Sequence, residues 1–193
     1  MALDANVPPA DVPKARSRRR VALEWLIAIV VVASASLVIR TYVFQTYFIP
    51  SGSMNPTLWK GNHIIVNKLS VEFGTINIGD IVVFKAPPDV RTDCGDPVAD
   101  LVKRVIGVPG DHLTSKGNTI YVNGKPLDQN WSHYVPLGTT PIGNVTVPKN
   151  HYFMMGDNHA GSCDSRTWGT VPRSDIIGKV FMKIWPLSQW HWF

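Results

Sequence analysis

Two serines on either side of a glycine form the stretch of this chain whose residue types most directly suggest chemistry. They lie in Ile49-Pro50-Ser51-Gly52-Ser53-Met54-Asn55-Pro56-Thr57-Leu58, between two prolines. Glycine adopts backbone angles that other residues avoid and proline fixes φ, so the hydroxyls are predicted to lie on a defined turn. A serine is a poor nucleophile until a neighbouring base takes its proton. An ordinary surface turn fits the same stretch.

Lysine and histidine side chains are the candidate bases. The six histidines lie in no recognisable triad motif, and Gly-x-Ser-x-Gly is absent around Ser53. Lys103 lies in an apolar run, and in a strand it shares a face with Leu101 and Val105. Because burial disfavours the charged ammonium, Lys103 is a candidate for a neutral amine, whereas the adjacent Arg104 cannot lose its proton. A lysine that reaches solvent from an edge strand is the alternative interpretation.

A third polar cluster begins at Gly156 and ends at Arg166. Asp164 and Arg166 are two residues apart, and an ion pair between them would hold Ser162 and Ser165 in position. Glycine, asparagine, aspartate and serine also dominate ordinary turns, so a polar turn fits the same residues.

The elements that must position these residues begin with an apolar segment at residues 21–39. Nineteen residues at about 1.5 Å each span roughly 28 Å, close to the hydrocarbon thickness of a bilayer. Its unbroken apolar circumference argues against a buried helix. Ala33-Ser34-Ala35 fits the cleavage site of a removable signal peptide, but the apolar run continues beyond it, which favours an uncleaved anchor.

The chain has a net charge of +5, and five basic residues cluster before the apolar segment: Lys14, Arg16, Arg18, Arg19 and Arg20. Basic residues stay on the cytoplasmic side of a spanning helix, so the N-terminus is predicted inside and the rest outside. Such a cluster also occurs in nucleic-acid-binding proteins, but its place before an apolar run favours the topology signal. No nucleic acid partner is therefore expected.

Beyond the apolar segment the hydrophobic pattern changes to a period of two, which is typical of β-strands. Seven strands are predicted at residues 43–49, 63–67, 81–85, 101–106, 119–122, 151–155 and 176–185. Asn123-Gly124 predicts a hairpin turn, and Pro109-Gly110 predicts another turn. Short strands without intervening helices predict a mainly β, antiparallel, barrel-like or sandwich body.

Three segments follow from these patterns. Residues 1–20 are predicted to be a disordered basic cytoplasmic tail, residues 21–42 a transmembrane anchor, and residues 43–193 an extracytoplasmic β domain. A loop at residues 89–100 carries four aspartates whose spacing matches no calcium-binding loop: Asp89, Asp93, Asp96 and Asp100. An aromatic cluster near the C-terminus either packs in the core or rests on the lipid surface: Trp185, Trp190, Trp192 and Phe193.

Taken together, the three clusters resemble the bacterial type I signal peptidases, which are membrane-bound serine proteases with a Ser-Lys dyad. The resemblance extends from the apolar segment to Trp185-Pro186-Leu187. Its motifs are the serine stretch above, Val102-Lys103-Arg104-Val105-Ile106-Gly107-Val108-Pro109-Gly110-Asp111, and Tyr152-Phe153-Met154-Met155-Gly156-Asp157-Asn158 followed by Ser162-x-Asp164-Ser165-Arg166-x-Trp168-Gly169.

The resemblance implies a role for each site residue. Ser53 would be the nucleophile and Lys103 its general base. Ser162 would orient the lysine amine, and the Ser51 hydroxyl would complete an oxyanion hole with the backbone N–H of Ser53. Two residues would form a supporting ion pair: Asp164 and Arg166.

The resemblance also implies the fold, substrate and location of the protein. We expect coiled antiparallel sheets on the outer face of the plasma membrane, reached by a single pass. The implied reaction removes N-terminal signal peptides from exported preproteins after small-x-small sites, chosen by small pockets. Preproteins and the lipid bilayer are the expected partners, and neither a cofactor nor a metal ion is expected.

The sequence departs from the family pattern after Asn158, where His159-Ala160-Gly161 replaces Arg-Asp-Asn. A cysteine beside Ser162 is also unusual. We expect Cys163 to pair with Cys94 and to fasten the acidic loop next to the catalytic centre, since a disulfide is permitted outside the cytoplasm.

Two other functions remain open from the sequence. The first is a sortase-like transpeptidase that uses Cys163, a histidine such as His159, and Arg166. The second is a non-catalytic, membrane-tethered β module that binds peptides or assembles partners.

Overall fold

The apolar segment forms a helix in the computed structural model, which describes residues 18–88, 90, 94, 98–129, 131, 138 and 140–193. Helix α1 spans Arg18–Val38, and a π-helical segment, Ile39–Val43, continues it. None of its residues is buried, and its most apolar window has a mean hydropathy of 2.4. Among the described elements it is the one helix long and apolar enough to cross a membrane.

The chain divides into an N-terminal unit that ends at Ile39 and a body, Arg40–Phe193. Twelve strands follow α1 in the described part of the body: β1 Phe44–Phe48, β2 His63–Asn67, β3 Ile81–Lys85, β4 Asp100–Gly107, β5 His112–Lys116, β6 Thr119–Val122, β7 Lys125–Pro126, β8 Val145–Thr146, β9 His151–Met155, β10 Val171–Pro172, β11 Ile176–Trp185 and β12 His191–Trp192. Two single-turn helices, Leu69–Glu72 and Ser165–Trp168, and 3-10 turns at His159–Gly161, Arg173–Asp175 and Leu187–Gln189 connect them.

The strands form two antiparallel sheets. The larger sheet has the order β1-β2-β11-β3-β4-β9-β10, with β12 paired to β11, and it curls into a half-barrel. The smaller sheet has the order β7-β6-β5-β8. Strand β11 therefore lies in the middle of the larger sheet, between β2 and β3, although it comes late in the chain. The mainly β, barrel-like prediction is confirmed.

Strand β3 of the larger sheet is buried on both faces. Ile81 and Val83 of β3 pack in one apolar cluster, whereas Val82 and Phe84 pack in a second cluster on the opposite face. Strand β9 separates this second cluster from a third, which fills the space beneath the smaller sheet around Phe153. Burial on both faces explains why β3 is a continuous apolar run rather than an alternating one.

The sequence predicted the longer strands well. Five of the seven predicted strands have the observed bounds, and the other two differ by one residue at each end. The Asn123-Gly124 hairpin is confirmed, with both residues at positive φ between β6 and β7. The prediction of a loop was wrong at Asp100, which begins β4 opposite Lys85, and the remaining aspartates of that loop lie outside the described residues.

Five strands were missed by the sequence reading: β5, β7, β8, β10 and β12. Four of them have two residues, too few for any periodicity to be seen. Core packing was the wrong alternative for the C-terminal aromatic cluster. Trp190 and Trp192 are 54% and 55% exposed, because β12 pairs with β11 through its backbone and leaves the rings outside.

The central strands of the larger sheet are closely packed at Gly178 of β11. A Cβ there would lie 2.5 Å from Val66 Cγ1 and 2.7 Å from the Asn67 carbonyl oxygen. We expect Gly178→Ala to lower the free energy of unfolding by about 1–3 kcal/mol, since overpacking forces the backbone to move. Urea unfolding of the full chain in detergent, followed by tryptophan fluorescence, measures the change. Gly143→Ala, which faces open space, is the control and should stay within about 0.5 kcal/mol of the parent.

Candidate active site

The serine stretch forms a turn between β1 and β2 that is anchored by its apolar residues. Met54 and Leu58 are 1% and 0% exposed and belong to the first apolar cluster. Their burial leaves the serines at the surface, with Ser51 exposed and Ser53 half-buried. The Ser51 hydroxyl donates to Ser53 Oγ over 3.4 Å. The turn thus holds two hydroxyls next to each other on a base fixed by the core.

Lys103 lies in β4, opposite Val82 of β3, and only 2% of it is exposed. It is not a lysine that reaches solvent, so that alternative was wrong. Lys103, Ser51 and Ser53 line the same cavity, which has a volume of about 290 Å³. Two residues 50 positions apart in the chain, a serine and a buried lysine, therefore share one small cavity.

The third cluster packs directly on the serine turn. The backbone N–H of Asn158 donates to the Ser53 carbonyl oxygen over 3.1 Å, and its side-chain amide donates to the Gly52 carbonyl oxygen over 3.2 Å. Gly156 lies between Ser53 and Ser162, because a Cβ there would be 2.6 Å from the Ser162 Cβ. Only glycine allows the two serine segments to approach this closely.

Ser162 lies at the edge of the cavity, between two of its lining residues, Gly161 and Cys163. Its hydroxyl donates to the Cys163 carbonyl oxygen over 3.4 Å. The substitution His159-Ala160-Gly161 forms a 3-10 turn just before it, and the Asn158 side chain accepts from the Gly161 N–H at the start of that turn. The departure from the family motif therefore changes a turn and keeps Ser162 beside Gly156.

Asp164 and Arg166 form a two-pronged ion pair with both N–O distances at 2.8 Å. Asp164 is fully buried, accepts from the Gly156 N–H over 3.2 Å, and caps the helix Ser165–Trp168. Arg166 also donates to the His159 carbonyl oxygen over 2.6 Å. The pair therefore fixes both ends of the loop that carries Ser162.

A disulfide joins Cys94 to Cys163, with the two Cα atoms 6.0 Å apart. Both cysteines line the Ser53 cavity, together with Val90, which is 1% exposed. The bond therefore attaches the segment after β3 to the Ser162 loop across the cavity wall. Neither cysteine is free.

A second buried ion pair was not predicted from the sequence. Arg104 donates to both oxygens of Asp157, over 2.8 Å from Nε and 2.6 Å from Nη2. Arg104 also donates to the Gly79 carbonyl oxygen over 2.7 Å, and the Thr57 hydroxyl donates to Asp157. The available signal was an arginine inside an apolar strand, because a buried guanidinium requires a carboxylate partner.

A smaller cavity of about 90 Å³ opens on the other side of Ser53. Ile49, Val83 and Val102 supply its apolar wall, and Tyr47 and Asp100 supply its polar wall. Burial, followed by the charge and the hydrogen bond of Asp100, raises the pKa of Tyr47 to about 12. The Tyr47 hydroxyl therefore keeps its proton across the physiological pH range and remains a donor to Asp100.

One further lysine contacts the serine turn. Lys183 of β11 donates to the Thr57 carbonyl oxygen over 3.4 Å, and burial lowers its pKa. Within the described residues, no group of three or more histidines, cysteines or carboxylates is placed to hold a metal ion.

Residues 22–185 match the family described as "Signal peptidase, peptidase S26". The chain belongs to this signal peptidase family. It is 36% identical to a signal peptidase I from Leptolyngbya laminosa, over 96% of this chain and 86% of that protein. It is 37% identical to a signal peptidase I from Bacillus caldolyticus, over 91% of this chain and 96% of that protein.

Membership of the S26 family makes the chain a peptidase, and hence a hydrolase, which confirms the resemblance found in the sequence. A crystal structure of a signal peptidase I from Enterococcus faecalis V583 also matches, at 26% identity over 54% of this chain and 96% of that chain. Its TM-score of 0.41 is too low to add to the sequence comparison.

The Arg104–Asp157 pair of this S26 peptidase yields a stability prediction. Asp157→Ala leaves the guanidinium buried without its carboxylate, so we expect the free energy of unfolding to fall by about 3–5 kcal/mol. Arg104→Met combined with Asp157→Leu removes both charges and should recover most of that loss. Denaturant unfolding of the full chain in detergent measures both.

The matched control is Lys179→Ala. It breaks a partly exposed pair with Asp80 at 2.7 Å and should cost less than about 1 kcal/mol. An Asp157→Ala loss no larger than that of the control would contradict a buried, structurally important pair.

The disulfide is tested by alkylation and intact-mass measurement. Denatured, unreduced protein should take up no iodoacetamide, because both cysteines are bonded. After reduction with dithiothreitol, both cysteines should be alkylated. Uptake of the reagent by purified, unreduced protein would contradict the bond.

Proposed function

We propose that this chain removes signal peptides from exported preproteins, with Ser53 as nucleophile and Lys103 as general base. The observation that carries the proposal is that Ser53 and a 2% exposed Lys103 line one cavity in a member of the S26 peptidase family. The relatives are named signal peptidase I, which supports this substrate class.

The proposed mechanism begins with the neutral Lys103 amine, which takes the proton of the Ser53 hydroxyl. Ser53 Oγ then attacks the carbonyl carbon of the scissile peptide bond and forms a tetrahedral intermediate. The Ser53 N–H and the Ser51 hydroxyl would stabilise the oxyanion, an assignment supported by the 3.4 Å separation of the two serine oxygens. Lys103 returns its proton to the leaving amine, and an acyl-enzyme remains.

Deacylation uses the same groups. A water molecule loses a proton to Lys103 and attacks the Ser53 ester, which releases the signal peptide and restores the serine. Ser162 is proposed to orient the amine, supported by its place across Gly156 from Ser53. Asp164 and Arg166 act as positioning residues, since their ion pair fixes the Ser162 loop.

The small cavity beside Ser53 supports a preference for small residues near the cleavage site. Its volume of about 90 Å³ excludes large side chains, and Ile49, Val83 and Val102 make its wall apolar. Strand β1 is an edge strand, and the first residues of β4 have no partner on the β9 side within the described ladders. An extended substrate can therefore lie along strand edges that border the cavity.

Anchoring in the membrane is part of the proposal. Helix α1 has 21 residues and an exposed apolar surface, long enough to cross a bilayer at about 1.5 Å per residue. The basic residues at its N-terminal end, Arg18, Arg19 and Arg20, support a cytoplasmic N-terminus and an outer body in the plasma membrane. Exposed aromatic residues of the larger sheet, together with Trp190 directly before β12, support contact with lipid: Phe44, Phe48, Trp185 and Trp192.

The sortase-like alternative lacks its nucleophile. It requires a thiolate at Cys163, and that sulfur is bonded to Cys94. The non-catalytic alternative leaves the S26 family membership unexplained. Neither is favoured by a specific observation.

The proposed dyad is tested by cleavage of a preprotein by the full chain in proteoliposomes. Ser53→Ala and Lys103→Ala should each lower the rate roughly 10³-fold or more, because each removes a group that takes part in bond breaking. Lys103→Arg should be equally inactive, since a guanidinium cannot accept the proton. Ser51→Ala should lower the rate about 10²-fold.

Two surface changes, Ser188→Ala and Lys116→Ala, are the matched controls and should leave the rate unchanged. The wild-type rate should fall as the pH falls, because the ammonium form of Lys103 has no lone pair to accept the Ser53 proton. Full activity in Ser53→Ala or Lys103→Ala would rule the dyad out.

A further inference from the structure

A third cavity, of about 890 Å³, lies on the body close to the point where the chain leaves the apolar helix. Thr41 and Tyr42 form part of its wall, and they belong to the π-helical segment that continues α1. The other walls come from Lys68, which follows β2, from the helix Leu69–Glu72, from the first residues of β9 and β11, from the end of β10 and from the 3-10 turn Arg173–Asp175. Among the described residues, none lines both this cavity and the Ser53 cavity.

Two cations line this cavity, and their partners carry no charge. Lys68 Nζ donates to the Thr41 carbonyl oxygen over 2.9 Å. Arg173 donates to the Tyr152 hydroxyl over 2.9 Å and to the carbonyl oxygens of Val71 and Gly74 over 2.6 and 3.0 Å. Within the described part of the chain neither side chain forms an ion pair, so both are held in place with their charge uncompensated.

The rest of the lining leaves a positive balance. Glu72 is the one carboxylate among the described lining residues, against Lys68 and Arg173. His151 adds an imidazole whose Nδ1 lies 3.0 Å from the Lys149 carbonyl oxygen, and Ser174 adds an exposed hydroxyl. An arginine, a lysine and hydroxyl groups around one open cavity suit a phosphate group.

We propose that this cavity binds the phosphate of an anionic phospholipid headgroup. Its wall contains Thr41 and Tyr42, the last two residues of the predicted anchor, so in the membrane-anchored arrangement proposed above the cavity opens at the level of the headgroups. Tyr42, which is 67% exposed, is an aromatic residue typical of that level. The inference rests on the proposed anchoring, and it does not depend on the assignment of the dyad.

The bound headgroup would orient the catalytic site. Strand β9 begins at the cavity with His151 and ends at Met155, directly before Gly156 and Asn158 of the candidate active site. The five residues of β9, at about 3.3 Å each, separate the cavity from that site by roughly 17 Å along the strand. A lipid held at one end of β9 would therefore restrain the strand that leads into this part of the candidate active site.

The experiment measures lipid retention by native mass spectrometry of the full chain in non-ionic detergent. The probes are dioctanoyl phosphatidylglycerol, dioctanoyl phosphatidylcholine and inorganic phosphate. We expect the anionic lipid to bind at least about tenfold more tightly than phosphatidylcholine. Ser174→Asp should weaken this binding about tenfold, because it adds a negative charge to the cavity wall. No hydrogen bond within the described residues depends on the Ser174 side chain, so the fold should be retained.

Lys68→Gln should weaken the same binding, whereas the control Thr119→Asp adds an equal charge to an exposed position of the smaller sheet and should have no effect. Equal retention of the two lipids, or unchanged binding by Ser174→Asp, would overturn the proposal. If inorganic phosphate displaced the lipid at an equal concentration, the proposal of a lipid ligand would be overturned. The cavity would then be a site for free anions. Preprotein cleavage by Ser174→Asp is measured in parallel in detergent, and we expect the wild-type rate. This measurement separates failure of the lipid site from failure of the proposed peptidase function.

Discussion

The buried ion pair between Arg104 and Asp157 is the contact on which the candidate site depends. It joins strand β4, which carries Lys103, to the segment after β9, which carries Gly156 and Asn158. Because the Thr57 hydroxyl donates to the same carboxylate, the serine turn is attached as well. All three clusters that the sequence singled out therefore meet at one carboxylate.

Adjacent residues of β4 have opposite requirements. Arg104 keeps its charge in the interior and needs a fixed carboxylate, whereas Lys103 needs a neutral amine for its proposed role as a base. A strand directs successive side chains to opposite faces, so Arg104 faces Asp157 while Lys103 faces the cavity with Ser53. The alternation of a β-strand thus separates a permanent charge from the proposed proton acceptor one residue away.

Much of the fold followed from residue patterns, and parts of the site did not. Alternation or apolar runs located β2, β3 and β11, because their side chains repeat over five or more residues. Strands β10 and β12 have two residues each and are defined only by their pairing with β9 and β11, so no local pattern encodes them. Likewise, the aliphatic neighbours of Lys103 indicated its burial, but nothing near Arg104 identified Asp157, 53 residues later, as its partner.

The place of β11 in the larger sheet has a consequence for how the protein is made. A nascent chain that ends before Ile176 already contains the serine turn, the Lys103 strand and the Ser162 loop. It lacks the strand that joins β2 to β3 and supplies Val180 to the core beneath the turn. Such non-local pairings form only after the late strand has emerged. The sheet that holds the candidate site is therefore completed only after residues 176–185 have been synthesised.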